Sequence, residues 1–326
     1  MQTASASLIE EIKRENPNFD FDSVIKNKHF YGSSLLNHTV FGKTSLLQIG
    51  PFNKNYVFKE ADPQMEDYAR LLITQADVAN ILSGQNVLPC APNISQMRID
   101  RKIITYLIMP YATPLSKVIF TTKVEQTSVE EKTIVKLLCD ISKVLAAAAA
   151  QKYHHCNIKP SNIFSHDRHF VLADWNGLER LRLATTMKKK LSPKEFQEYT
   201  IYVAPELQPE IEKKFFEIKV DLHKADIYSL GLCILDLCEV SKEELIAMRQ
   251  KQQTDKTTQL NPEHAFKAKL ERVIRSQEIL DLVWRMVSVY PEKRPTANEI
   301  IITFEGETNT VLSEEEKLHS NKYYEF

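Results

Sequence analysis

The feature that most restricts the fold of this chain is a set of short motifs in fixed order across its second half. The first is HCNIKPSNIF, which carries His155, Asn157, Lys159 and Asn162, and twelve residues after Asn162 comes Asp174 in LADWNG. TIYVAPE then runs from Thr200 to Glu206, KADIYSLG carries Asp226, and YPEKRPTA carries Arg294. An amide oxygen and a carboxylate are hard oxygen donors of the kind that hold a divalent cation, and a neighbouring Lys supplies a point charge for phosphate. Taken singly, an Asn and an Asp in loops are ordinary polar residues. Four such motifs in one order are not a chance arrangement.

The surrounding pattern divides the chain. Residues 1–29 are polar, with a short helical pattern around Leu8 to Ile12, and read as an N-terminal extension. From Phe30 to Tyr111 the apolar runs LLNHTVF, KTSLLQI, NYVFKEA and KIITYLIM predict strands. Between the third and fourth, Met65 to Leu82 predicts a helix on which Leu71, Val78, Ile81 and Leu82 make one apolar face. Beyond Pro114 helices are expected over Val129–Lys152, Asp226–Cys238 and Glu278–Val289, with short strands at NIF and HFVLAD. The polar stretch Ser241–Asn261 predicts a mobile surface insertion, and residues 305–326 an acidic tail.

Charge and cysteine content exclude several classes. With 42 basic and 43 acidic side chains there is no global field to draw nucleic acid or anionic lipid. The five cysteines are odd in number and show neither a C-x-x-C pair nor metal-ligand spacing, which predicts reduced thiols. No signal-peptide pattern opens the chain, and no run reaches the roughly 18 apolar residues of a membrane helix. The expectation is an intracellular protein, cytoplasmic or nuclear, with neither nucleic acid nor membrane as partner.

Read together, the motifs resemble those of the eukaryotic-type protein kinases, serine/threonine-like, over roughly residues 30–300. The resemblance implies an α+β, bilobal fold: a small β-rich lobe and hinge over residues 30–112 and a larger, mainly helical lobe over 113–304. It implies ATP and Mg2+ as cofactors, with Asn162 and Asp174 as metal ligands and Lys159 beside the transferred phosphate. Lys59, in YVFKEA, would contact the nucleotide phosphates. Its usual Glu partner on the next helix is missing; the window holds Gln75 and Asp77, and Asp77 is the expected substitute. Met109 would be the gatekeeper, with the carbonyl of Pro110 and the N–H of Ala112 facing adenine. His155 and Thr200 would have structural roles, Glu206 would pair with Arg294, and Asp226 would accept hydrogen bonds from the catalytic-loop backbone.

Several positions depart from the family pattern. Of the glycine-rich loop only the third glycine survives, in Asn37-His38-Thr39-Val40-Phe41-Gly42, and the whole chain has seven glycines. Side chains at Asn37 and Thr39 obstruct close approach of phosphate to backbone. Asn157 stands where active kinases have the Asp that takes the substrate proton, and a carboxamide has no basic site near neutral pH. Cys156 replaces the Arg that clamps a phosphorylated activation loop, so phosphorylation at Thr185, Thr186 or Ser192 would lack that clamp. Asp-Phe-Gly becomes Asp174-Trp175-Asn176 with Gly177 one place late; Trp175 fills the hydrophobic slot and Asn176 restricts flipping. The resulting expectation is a pseudokinase, a signalling protein that binds ATP weakly and acts as scaffold or regulator of an unnamed protein partner. The alternatives are an active serine/threonine kinase of altered mechanism, favoured by the preserved Thr200 loop, and an interaction protein that binds no nucleotide.

Overall fold

The computed structural model describes residues 10–14, 34–49, 54–93, 105–175, 177–191, 196–197, 200–212, 220–254 and 262–308. Asn176 and Ser192 lie outside the described residues, as do most of the N-terminal extension and the tail. Five antiparallel strands form the first sheet: β1 (Ser34–Thr39), β2 (Gly42–Ile49), β3 (Lys54–Ala61), β4 (Ala91–Asn93) and β5 (Tyr106–Pro110), in the order β1-β2-β3-β5-β4. In β3, Tyr56 and Phe58 alternate into the core while Val57 and Lys59 take the other face. Register sets Lys59 opposite Thr44 on one side and Leu107 on the other. The N-terminal segment is attached here, with Ile12 fully buried and Glu11 paired to Lys54 at 2.8 Å.

Helix α1 (Glu66–Ile81) lies against this sheet. Its buried residues are Tyr68, Leu72, Gln75, Ala76, Val78 and Ala79, so the buried stripe is rotated from the one its larger apolar residues suggest. Ile81 is 49% exposed. The small side chains of Ala76 and Ala79 allow close approach to the sheet, which a pattern weighted by bulk misses.

The second part of the chain is mainly helical. A small sheet, β6 (Thr113–Pro114), β7 (Ile163–His166) and β8 (His169–Leu172), joins helices α2 (Leu115–Glu125) and α3 (Glu131–Ala150) to α4 (Gly177–Thr186) and α5 (Leu207–Glu212). Then follow α6 (Leu222–Leu237), α7 (Lys242–Thr254), α8 (Pro262–Val273), α9 (Gln277–Met286) and α10 (Ala297–Thr308). Every residue of α6 from Ala225 to Leu237 is buried, which makes it the central helix of this part. Asp221 caps it, accepting from the N–H groups of His223 and Lys224. The two parts touch along a seam behind the site, where Leu88 N–H donates to Leu172 O (2.9 Å) and Leu172 N–H to Asn86 O (3.0 Å).

The expected insertion at Ser241–Asn261 is a correction. Lys242–Thr254 is helix, with Leu245 fully buried and Met248, Arg249 and Gln252 nearly so. Gln252 Oε1 accepts from the Tyr228 hydroxyl at 2.7 Å, so its amide is spent inside the lobe. Polar residues with buried partners look like solvent-facing ones in a composition count. Residues 255–261 lie outside the described residues. The five cysteines are all buried and none is in a disulfide, and among the described residues no helix is long and apolar enough to cross a membrane.

Candidate functional site

The loop between α3 and β7 is held from below. Asp226, on the first turns of α6, accepts from the N–H of His155 through Oδ2 and from the N–H of Cys156 through Oδ1, both at 2.7 Å. Burial pushes the Asp226 carboxyl up to about 7 even though these two donors favour the anion. His155 is fully buried and contacts Ala173 O through Nε2 at 2.9 Å, while Asn157 N–H donates to its Nδ1 at 3.2 Å. Those two bonds define the tautomer with the proton on Nε2. Burial lowers His155 to about 4, so it stays neutral. Its ring meets Trp175 edge-on at 4.9 Å, and Trp175 is buried in the slot expected for it.

Above this loop, Lys59 reaches from β3 to Asp174 and pairs with Oδ1. Arg180, from the first turn of α4, takes the other oxygen, Oδ2, at 2.7 Å. Burial alone would raise Asp174; Arg180 first, then Lys59, and Lys159 less strongly, hold it well below the usual carboxylate range. Asp77 is not the partner of Lys59. It is exposed, on the same outer side of α1 as Ile81. The α1 residue that reaches the site is Gln75, buried to 3% exposure. With its amide oxygen turned to the Asp174 N–H, the orientation in which both groups are satisfied, it accepts from that N–H at 3.2 Å and donates to Asp174 Oδ1 at 3.3 Å.

The Asn37–Gly42 segment is the tip of the β1–β2 hairpin, turned through Val40 and Phe41. Asn37 pairs with Thr44 in the ladder, and Thr39 Oγ1 accepts from Phe41 N–H at 3.2 Å, closing the turn. Gly42 is required by the sheet itself, because a Cβ there would fall 2.0 Å from Glu60 O. Phe41 is fully buried and packs on Tyr68 at 5.6 Å. At the hinge, Met109 is buried opposite Val57, Pro110 ends β5, and Ala112 is buried beyond it. Tyr111 N–H donates to Asn55 O at 3.0 Å.

Asn157 and Asn162 stand together. Asn162 Nδ2 donates to Asn157 O at 2.9 Å, and Asn162 N–H donates to Lys159 O at 2.9 Å. The Asn157 side chain is 5% exposed, and its Nδ2 is buried without a hydrogen-bond partner among the described residues. A donor left in that state costs about 1–3 kcal/mol. Gly177 presses on it: a Cβ at 177 would lie 2.2 Å from Asn157 Cβ and 2.4 Å from His155 O.

The divalent cation implied for Asn162 and Asp174 does not fit this arrangement. Mg2+ needs oxygen ligands at about 2.0–2.1 Å in a near-octahedral shell. Here one oxygen of Asp174 faces an ammonium and the other a guanidinium at 2.7 Å.

Farther along, Arg294 is fully buried and makes a two-pronged pair with Glu206, Nη1 to Oε1 at 2.6 Å and Nη2 to Oε2 at 2.9 Å. Thr200 directs its hydroxyl to Phe196 O and Gln197 O at 3.3 and 3.4 Å, and its carbonyl accepts from Arg249 Nη1. Thr185 and Thr186 donate to Leu181 O and Arg182 O within α4. Arg180, Gln75 and Arg249 are the site and support residues that sequence reasoning passed over. Gln75 stood beside Asp77 in the window and was set aside, and Arg180 left a trace six positions after Asp174 in LERLR.

The protein kinase domain model matches residues 54–303, and the chain belongs to the protein kinase family. It is similar in fold to two solved forms of the kinase domain of Mycobacterium tuberculosis PknI. One, a double mutant, superposes with a TM-score of 0.53 at 16% identity, covering 84% of this chain and 93% of that one. The other, a single mutant, gives 0.52 at 16% identity with the same coverage. No curated protein matches the chain in sequence.

Proposed function

We propose that this chain is a pseudokinase: a protein-kinase-fold domain that holds a nucleotide weakly, transfers phosphate poorly or not at all, and acts as a scaffold or regulator of a protein partner. The observation that carries the reading is Asn157. An attacking hydroxyl must give up its proton, and an amide cannot take it. Two nearby carboxylates are committed elsewhere, Asp226 to two backbone N–H groups and Asp174 to Lys59 and Arg180. Loss of a positioned base removes about 10²- to 10⁴-fold in rate.

Nucleotide binding is supported by Lys59 and Lys159, both close enough to Asp174 to lower its pKa, and by the apolar hinge at Met109 and Ala112. The Thr200 loop, which favours an active kinase in the sequence, serves here to anchor α7 through Arg249.

A radiolabelled transfer assay on a generic protein substrate, with ATP titrated by thermal shift, tests this. Transfer at least about a hundredfold below an active kinase domain is expected. ATP should also raise the unfolding temperature, and Lys59→Ala should abolish that rise. Turnover like that of an active kinase, lost in Asp174→Ala, would overturn the reading; ATP without effect would leave only an interaction protein.

A further inference from the structure

We propose that Arg180 is the resident cation of the pocket, so that the site accepts a nucleotide polyphosphate without a divalent metal. The inference rests on the nucleotide reading above and gives it a chemical form.

Arg180 is not a surface residue that drifts into the cleft. It belongs to the first turn of α4, whose leading residue, Gly177, is tied to the catalytic loop by its N–H donating to His155 O at 3.0 Å. The guanidinium is gripped on three sides: Nη1 on Asp174 Oδ2 at 2.7 Å, Nη2 toward the Tyr68 hydroxyl at 3.4 Å, and its carbon 5.3 Å from the centre of the Tyr68 ring. Tyr68 is itself fixed, buried at 6% exposure and packed on Phe41 from the hairpin tip. A planar fork that stacks on one ring face and bonds at both ends is a use particular to arginine.

Charge then decides what can enter. Lys59 and Arg180 occupy the two oxygens of Asp174, and Lys159 acts on the same carboxylate. Three cations therefore bear on this one carboxylate before any ligand arrives. Phosphate oxygens complement such a pocket directly, through charge-assisted hydrogen bonds. A metal ion would have to share Asp174 with an ammonium and a guanidinium within a few ångströms, where poorly solvated like charges repel strongly. Metal and Arg180 therefore compete for one carboxylate, and the covalently attached cation is always present.

ATP titrated into the full chain by calorimetry, once in excess EDTA and once in excess MgCl2, tests this. The wild type should give the same affinity within about threefold in both media. Arg180→Gln should bind ATP at least about tenfold more tightly with Mg2+ than without, because the carboxylate is released to a metal. Arg180→Lys, keeping the charge, should stay closer to the wild type. Wild-type binding tenfold tighter with Mg2+ overturns the proposal and leaves the nucleotide reading standing. An Arg180→Gln variant that folds and ignores Mg2+ also overturns it. No binding by the wild type in either medium removes the nucleotide reading itself. If Arg180→Gln does not fold, the two wild-type titrations decide alone.

Discussion

Two buried polar clusters of the larger lobe treat their hydrogen-bonding groups in opposite ways. Around Arg294, Nε donates to Ser288 O, Nη1 to Glu206 and to Lys224 O, Nη2 to Glu206, and the guanidinium lies 4.7 Å over the Tyr228 ring. Around Asn157, among the described residues, neither the side-chain Nδ2 nor the buried indole Nε1 of neighbouring Trp175 has a hydrogen-bond partner. In the first cluster every guanidinium nitrogen has a partner. The second sits where chemistry would take place and leaves donors unmatched. The contrast teaches that this lobe completes the hydrogen bonds of one buried cluster and leaves donors of the other without a partner among the described residues.

The comparison breaks most easily at its strong end. Arg294→Ala strands Glu206 and should lower the unfolding free energy by about 3–5 kcal/mol, read in urea denaturation. A loss under about 1 kcal/mol would mean the pair is screened and the cluster decorative. At the other end, Gly177→Ala forces a methyl group into Asn157 and the His155 carbonyl. A loss of about 1–3 kcal/mol is expected from such overpacking. A neutral result would show that the loop around Asn157 yields freely, contrary to its burial. The finest test separates two residues of one helix. Gln75→Leu, which strips two hydrogen bonds from Asp174, should cost about 1.5 kcal/mol, whereas Asp77→Ala should stay within about 0.5 kcal/mol. The reverse order would reinstate Asp77 as the inward-facing residue.

The same contrast explains what could be read from the chain alone. Glu206, Arg294, Asp226 and Lys59 were legible because they sit in motifs; the first three make the contacts the family resemblance implies, while Lys59 pairs with Asp174 and not with the expected Asp77. The inward residue of α1 was not. Its helix buries Gln75, Ala76 and Ala79 beside the expected Val78 and Leu82 but exposes Ile81, so phasing by large apolar side chains found only part of the buried face. Arg180 was hidden for a related reason. A charged residue in an amphipathic stretch reads as solvent-facing, and only the folded chain places the Asp174 oxygen beside it. Residues 242–254 were misread because buried amides with partners are polar by composition yet belong to the core.

The seam at Leu172 has a mechanical consequence. The covalent passage from β5 into Thr113 ties the lobes at one place, and the hydrogen bonds between Leu172 and residues Asn86 and Leu88 tie them at another. A body hung on two pins swings about the line through them, and here the Lys59–Asp174 pair and the Arg180–Tyr68 contact brace that swing from within the cleft. Leu172 lies two residues before Asp174, so such a swing turns about a point next to the carboxylate and carries the outer rim of the cleft, at Phe41, through the longest arc.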